Sequence, residues 1–311
     1  MPHILVAGKI HEAGLEVIKA AKGFTYEQVM DVTYEAYAPL MPKADAVLLR
    51  TQPLQADLVA KSPNLKIVSR HGVGYDAVDV AALNARKIAL AIVGDVNSRA
   101  VAEHTLSLML AAARRVVAHD HASRNRNWNE RNKFDSVELD GKRLLIIGYG
   151  RIGRRVGELA KAFGMEIVAY DPFVPEAAKD LHAELARADY VTLHIPGAKG
   201  AIIGTNELAL MKPSAIIVNA ARGGLVDEAA LDQALRARKL YAAALDVLVE
   251  EPPKPDHPLL SNPHVTISPH NAGLTAECAK RMAVSAAQNI IDYIAGTLDA
   301  KLVVNAAAIG L

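Results

Sequence analysis

Gly148-Tyr149-Gly150-Arg151-Ile152-Gly153 is a G-x-G-x-x-G string that follows the apolar run RLLII and opens a segment of helical character ending at Gly164. A second apolar run, MEIVAY, then ends in Asp171. A strand, glycine turn, helix and strand in about 30 residues is the form that binds a dinucleotide. The first glycine permits the tight turn, the second lets backbone approach a pyrophosphate, and the third lets helix and strand pack closely. Amides at the helix start, from Arg151 and Ile152 onward, then hold the phosphates. Asp171 is placed to accept hydrogen bonds from the adenosine ribose, and a carboxylate there repels a 2′-phosphate, so NAD is expected rather than NADP. Further along, three strand ends carry polar residues that core strands do not need. Arg222 lies in NAARGGLVDE, Asp246 and Glu251 in ALDVLVEEPP, and His270 in VTISPHNAG. In open parallel sheets ligands bind outside the carboxyl ends of the strands, so these residues can converge on the same cofactor.

A second glycine-rich segment, His71-Gly72-Val73-Gly74-Tyr75-Asp76, follows the apolar run LKIVS. Glycines on either side of Val73 allow consecutive amides to face one concavity, which suits a carboxylate. A plain strand-to-helix turn is the alternative reading.

These residues need a frame. Short runs rich in Val, Ile and Leu alternate with longer Ala-rich, helix-prone segments throughout, the pattern of parallel sheets covered by helices. The expected strands are His3 to Ala7, Ala46 to Arg50, Leu65 to Ser69 and Ile88 to Val93 in the first part. In the second they are Arg143 to Ile147, Glu166 to Tyr170, Tyr190 to Ile195, Ala215 to Ala220, Ala242 to Asp246 and Val265 to Ser268. Two α/β units follow from this count. Helices are expected over Glu12 to Ala21, Ala77 to Ala85 and Ala276 to Ala295. A long one, Arg99 to His119, starts after the candidate caps Asn97 and Ser98 and crosses from one domain to the other. The polar stretch Ser123 to Phe134 lacks an apolar period and reads as a surface loop, either solvated or making a subunit contact through Trp128.

Composition narrows the function. The 311 residues include 35 Lys+Arg against 34 Asp+Glu, which gives no electrostatic reason to expect nucleic acid or an anionic membrane as partner. One cysteine, Cys278, makes neither an intramolecular disulfide nor a thiolate metal cage, and the eleven histidines are scattered, so no metal is expected. No basic leader precedes a long apolar stretch at the N-terminus, so a cytoplasmic protein is expected.

Taken together, RHGVGYDAVD, GYGRIG, NAARGGLVDE, ALDVLVEEPP, SPHNAG and the terminal VVNA resemble the D-2-hydroxyacid dehydrogenase family, most of all its D-3-phosphoglycerate dehydrogenase branch. The resemblance implies two doubly wound parallel-sheet domains with a cleft between them. One is a flavodoxin-like substrate domain made of residues 1–97 plus 287–311, the other a Rossmann NAD domain of residues 98–286. It also implies that Arg222, Glu251 and His270 are catalytic. Imidazole suits proton exchange with a substrate hydroxyl because its ordinary pKa lies near neutrality, a carboxylate steadies it, and a guanidinium grips the substrate carboxylate and the oxygen on C2. Formate dehydrogenases of the family carry Gln where Glu251 stands.

By the same resemblance Asp246 binds the nicotinamide carboxamide, with a strand-end cap as its alternative. His194, Ile195, Pro196, Ala220, Ala221 and Gly273 line the cofactor pocket. Val73 and Gly74 hold the substrate's acid group. Arg50 faces the substrate's far end, where it binds a phosphate or second carboxylate unless it is only a solvated strand-end arginine. The implied reaction is NAD-dependent interconversion of a D-2-hydroxy acid and its 2-keto acid, such as D-3-phosphoglycerate and 3-phosphohydroxypyruvate, by a homodimer. Relatives acting on glyoxylate or hydroxypyruvate share the catalytic residues, and related corepressors bind peptides instead. The sequence ends at VVNAAAIGL, so feedback by serine through an added regulatory domain is not expected.

Overall fold

The computed structural model describes residues 1–31 and 33–311. The chain forms two compact units, one of Met1–Asn97 with Leu274–Leu311, the other of Ser98–Gly273.

The first unit is built on a five-stranded parallel sheet of β1 (His3–Ala7), β2 (Thr25–Val29), β3 (Ala46–Leu49), β4 (Ile67–Arg70) and β5 (Ala89–Ala91), in the order β2-β1-β3-β4-β5. The residues of β3 and β5 are all buried, which is why they read as unbroken apolar runs. β2 was not among the expected strands. Its sequence, TYEQV, has no buried residue and lies at the sheet edge, where one-sided pairing removes the demand for apolar side chains.

The helix Ala276–Ala295 belongs wholly to this unit, so the second boundary falls after Gly273 and not after residue 286. Its buried side is tied to the first sheet by the Ser69 hydroxyl, which donates to Ala286 O at 2.8 Å, and by Asn289 Nδ2, which donates to Ile92 O at 3.0 Å. Asn305 closes the tail onto the same sheet, accepting from Leu90 N and donating to Ile88 O.

The second unit carries six parallel strands, β6 (Arg143–Ile147), β7 (Glu166–Tyr170), β8 (Tyr190–Leu193), β9 (Ile216–Asn219), β10 (Ala242–Leu245) and β11 (Val265–Ile267), in the order β11-β10-β9-β8-β6-β7. Apolar clusters cover both faces of this sheet, one around Leu145, Val191 and Ile217 and the other around Leu144, Ile146 and Val218.

The long helix expected over Arg99 to His119 is instead two, Ser98–Ala113 and Val116–Arg124, both inside the second unit. Arg115 between them is left-handed, with φ of 51°. Val116 and Val117, both exposed, follow it as the first residues of the second helix. The stretch expected to be a loop contains the end of the second helix and a 3₁₀ turn, Trp128–Lys133. Among the described residues, no helix is long and apolar enough to cross a membrane.

Candidate active site

In the second sheet the chain runs from β6 to β7 on one side and later returns to β8 on the other. The loops after β6 and β8 therefore part at their carboxyl ends, the place where such sheets bind ligands. Gly148 occupies the β6 side with φ of +91°, and a side chain there would meet His194 O at 2.6 Å. Gly153 packs directly on Gly148 O, while the space beside Gly150 is open. The helix Arg151–Ala162 begins at Gly150 without a side-chain cap. An uncapped helix start beside open space, walled by bare backbone, fits the pyrophosphate of a dinucleotide. Asp171 borders this cradle, accepting from Tyr149 N at 2.8 Å and Phe173 N at 2.9 Å, so its carboxylate is fixed in direction.

His194 follows β8. Its Nε2 shares a hydrogen bond of 3.0 Å with Thr192 Oγ1, and its Nδ1 is sealed from solvent with no partner. Burial pushes the imidazole down to about 3, so the ring is neutral at ordinary pH. Ile195 is half-buried and Pro196 exposed, whereas Ala220 and Ala221 are buried. Ile152 of the glycine turn packs against a small cluster of Val101, Ala220 and Ala272. That contact brings the cofactor cradle together with the segments holding Arg222 and His270.

Asp246 directly follows β10 with 1% of its surface exposed. Its Oδ1 accepts from the Ser268 hydroxyl at 2.6 Å and Asn271 N at 3.0 Å, and its Oδ2 from Ala272 N at 3.0 Å. Because the Ser268 proton is committed to Asp246, His104 Nε2, 2.9 Å from Ser268 Oγ, is the donor there. It also lies 3.3 Å from Asp246 Oδ1. Burial alone would raise the Asp246 carboxyl, but these hydrogen bonds outweigh it and hold the group below its ordinary value. The geometry is that of a strand-end cap organising residues 268–272, next to Gly273.

His270 stands on this turn. It is left-handed, with φ of 50°, and its backbone N–H donates to Asp246 O at 2.8 Å. Its Nδ1 donates to Glu251 Oε2 at 2.6 Å, and Glu251 Oε1 accepts from Leu248 N at 3.0 Å. The two side chains are 52% and 36% exposed, so the pair is accessible to a substrate. Arg222 extends from a turn locked by Asn219, whose Oδ1 accepts from Ala221 N and whose Nδ2 donates to Arg222 O at 2.8 Å. The next residue, Gly223, packs so closely on the backbone of Leu248 and Val249 that no Cβ fits.

Two residues that organise this turn, His104 and Ser268, were not singled out in the sequence. His104 sits in the apolar stripe of its helix, between Val101 and Leu108, and a histidine in that stripe was the available signal. Ser268 opens the motif SPHNAG but was not singled out within it.

The first unit has its own constellation at the ends of β1, β3 and β4. Arg50 Nη1 donates to Lys9 O at 3.1 Å. Gln52 is 1% exposed and His71 8% exposed, and the side-chain nitrogens Gln52 Nε2 and His71 Nε2 have no partner. Burial, with the Arg50 and Arg70 guanidinium groups nearby, pushes His71 down to about 4. Gly74 O accepts from Arg70 Nε at 2.7 Å, which fixes the loop containing Val73. Neither Gln52 nor His71 was picked out by sequence as a site residue.

Set beside known proteins, residues 106–272 match the sequence profile of the D-isomer specific 2-hydroxyacid dehydrogenase, NAD binding domain. D-3-phosphoglycerate dehydrogenase of Methanocaldococcus jannaschii is 40% identical, covering 98% of this chain and 60% of that protein. The chain thus spans about three-fifths of that relative's length. Glyoxylate reductase of Aeropyrum pernix is 38% identical over 97% of this chain and 96% of its own. Among solved structures, the NADPH-dependent glyoxylate/hydroxypyruvate reductase of Sinorhizobium meliloti superposes with a TM-score of 0.84 at 28% identity, over 94% of this chain and 95% of that one.

The two buried neutral imidazoles generate a pH prediction. His71 and His194 bind protons more readily unfolded than folded, so the stability they contribute is complete above the unfolded value near 6.5 and is lost as pH falls toward their folded values of about 4 and about 3. By pH 5 each loss reaches about 2 kcal/mol. In urea unfolding at pH 7 and pH 5, His194→Gln should remove its share of the acid destabilisation. An acid dependence identical to that of the unmodified protein would show that His194 is not held neutral.

Proposed function

Because the chain belongs to the D-isomer-specific 2-hydroxyacid dehydrogenase family, we propose that it interconverts a D-2-hydroxy acid and the corresponding 2-keto acid as a cytoplasmic enzyme. The observation that carries this reading is the 2.6 Å hydrogen bond from His270 Nδ1 to Glu251 Oε2. When bound, a nicotinamide dinucleotide supplies the hydride acceptor for oxidation and the donor for reduction.

The chain's own residues then have separable tasks. Glu251 holds the imidazole in one tautomer, leaving Nε2 to exchange a proton with the oxygen on substrate C2. In oxidation Nε2 takes the hydroxyl proton and Glu251 stabilises the imidazolium; in reduction the imidazolium returns it. Arg222 grips the substrate carboxylate and polarises the C2 oxygen through a planar fork that lysine lacks. Asp246 is assigned to holding the His270 turn as well as to the nicotinamide end of the cofactor. The fixed Asp171 carboxylate supports NAD over NADP, since it would lie against a 2′-phosphate.

The first unit is assigned to anion recognition. Val73 and Gly74 take the substrate's acid group. Arg50, beside the unpartnered nitrogens of Gln52 and His71, supports a second anionic group at the substrate's far end, as in D-3-phosphoglycerate. Reduction of glyoxylate or hydroxypyruvate is the second reading, favoured by the near full-length match to a glyoxylate reductase.

We also infer a homodimer. Leu106, Leu110, Val116, Leu159 and Phe163 line an open apolar groove of the second unit, and Trp128 and Phe134 are 66% and 89% exposed. Apolar surface of this kind calls for a cover, and a second copy is the occupant proposed.

His270→Ala is expected to lower turnover by about 100-fold or more with NADH affinity nearly unchanged, and undiminished turnover would remove His270 from the mechanism. Steady-state assays of phosphohydroxypyruvate, hydroxypyruvate, glyoxylate and pyruvate with NADH and NADPH should show the highest kcat/KM for phosphohydroxypyruvate with NADH. Preference for an unphosphorylated acid would overturn the Arg50 assignment, and preference for NADPH the Asp171 one. Light scattering should report twice the 33.2 kDa chain mass, and a 33.2 kDa particle would refute the dimer.

A further inference from the structure

We propose that Glu228 is a positioning residue that fixes the loop carrying Glu251, and through it the tautomer and direction of His270. Glu228 is the first residue of the helix Glu228–Arg236, whose N-cap is Asp227. Its position alone suggests nothing more than an acid favourably placed at a helix start. Its two oxygens are used otherwise. Oε1 accepts from Val249 N at 2.7 Å, and Oε2 accepts from His257 Nε2 at 3.0 Å. The carboxylate and the imidazole are 15% and 20% exposed, so the link is shielded where the Glu251–His270 pair is open.

Val249 has a side chain 68% exposed, so it is not held by its own packing, although Leu248 before it is buried in the core. Its backbone is held from two sides. On one side Gly223 lies flat against Leu248 and Val249, and on the other Glu228 binds the Val249 amide. Two residues further on, Glu251 reaches back to Leu248 N with one oxygen and to His270 with the other. Glu228 also ends the ten-residue segment that starts at Asn219 and contains Arg222. One carboxylate thus staples the Arg222 segment to the Glu251 loop and keeps the spacing between them.

This inference rests on the catalytic reading of Glu251 and His270, and a double-mutant cycle separates the two. Glu228→Ala should lower kcat for keto-acid reduction about tenfold while leaving the NADH dissociation constant within about twofold, since a small misplacement of a proton donor is enough for such a loss. Glu228→Gln, which keeps an acceptor for Val249 N, should restore most of the rate. In a Glu251→Ala background, Glu228→Ala should cost little more, because the group it positions is gone. If Glu251→Ala alone leaves kcat unchanged, the catalytic reading fails and this inference with it. If Glu251→Ala is impaired but Glu228→Ala has no effect, or the same effect in both backgrounds, this inference alone fails. Should the alanine variant not fold, Glu228→Asp, one methylene short of spanning both partners, carries the same expectations.

Discussion

A carboxylate almost without exposed surface survives in a protein only when donors surround it, and Asp246 meets that condition by shaping the chain around itself. Its oxygens gather the Ser268 hydroxyl and the amides of Asn271 and Ala272, while its backbone carbonyl takes the amide of His270. The segment after β11 cannot run straight on under these bonds, and His270 adopts the left-handed conformation that non-glycine residues rarely hold. The direction of the imidazole toward Glu251 is therefore a consequence of satisfying a buried charge one strand away. His104, from a different helix, completes the arrangement by donating to Ser268.

Both units solve the problem of making a binding edge in the same way. In each sheet the first strand is flanked by the second on one side and the third on the other, so the loops leaving the first and third strands separate. The first unit places Gly8, Arg50 and Gln52 at that point, and the second places Gly148 and His194. In each unit buried side-chain nitrogens remain without partners, Gln52 Nε2 and His71 Nε2 in one and His194 Nδ1 in the other. Buried polar atoms are almost always satisfied, so these exceptions stand out.

The Glu251–His270 pair contributes little to stability. Both side chains are substantially exposed, and pairs so placed contribute from nothing to about 1 kcal/mol. Its short geometry is maintained by what lies beneath it, Leu248 N on Glu251 and the Asp246 turn on His270, with Glu228 and Gly223 holding the intervening loop. Shielded groups hold the structure, and the pair itself stays open to solvent. That division also accounts for the neutral His194 and His71, whose burial removes them from proton exchange at ordinary pH.

Where the chemistry of the chain is local, the sequence alone determined the outcome. The βαβ unit around Gly148 was legible because a tight turn, a bare backbone and a helix start all lie within a few residues of one another. The buried strands were legible because full burial demands continuous apolar runs, as in β3, β8 and β10. The strand-end polar residues Arg222, Glu251 and His270 stood out against those runs. The edge strand β2 did not, since half-burial leaves no apolar signature, and the single long helix expected over Arg99 to His119 gave way to two at the left-handed Arg115, which no local pattern marks. The allegiance of residues 274–286 depended on hydrogen bonds from Ser69 and Asn289, more than 190 positions away from their partners. Likewise, Glu228 and Ser268 lie inside the motifs NAARGGLVDE and SPHNAG and His104 inside an apolar helix stripe, but their sequence neighbours do not say what they bind. Their partners lie 21, 22 and 164 residues away, and contacts at such separations exist only once the sheet has brought its strand ends together.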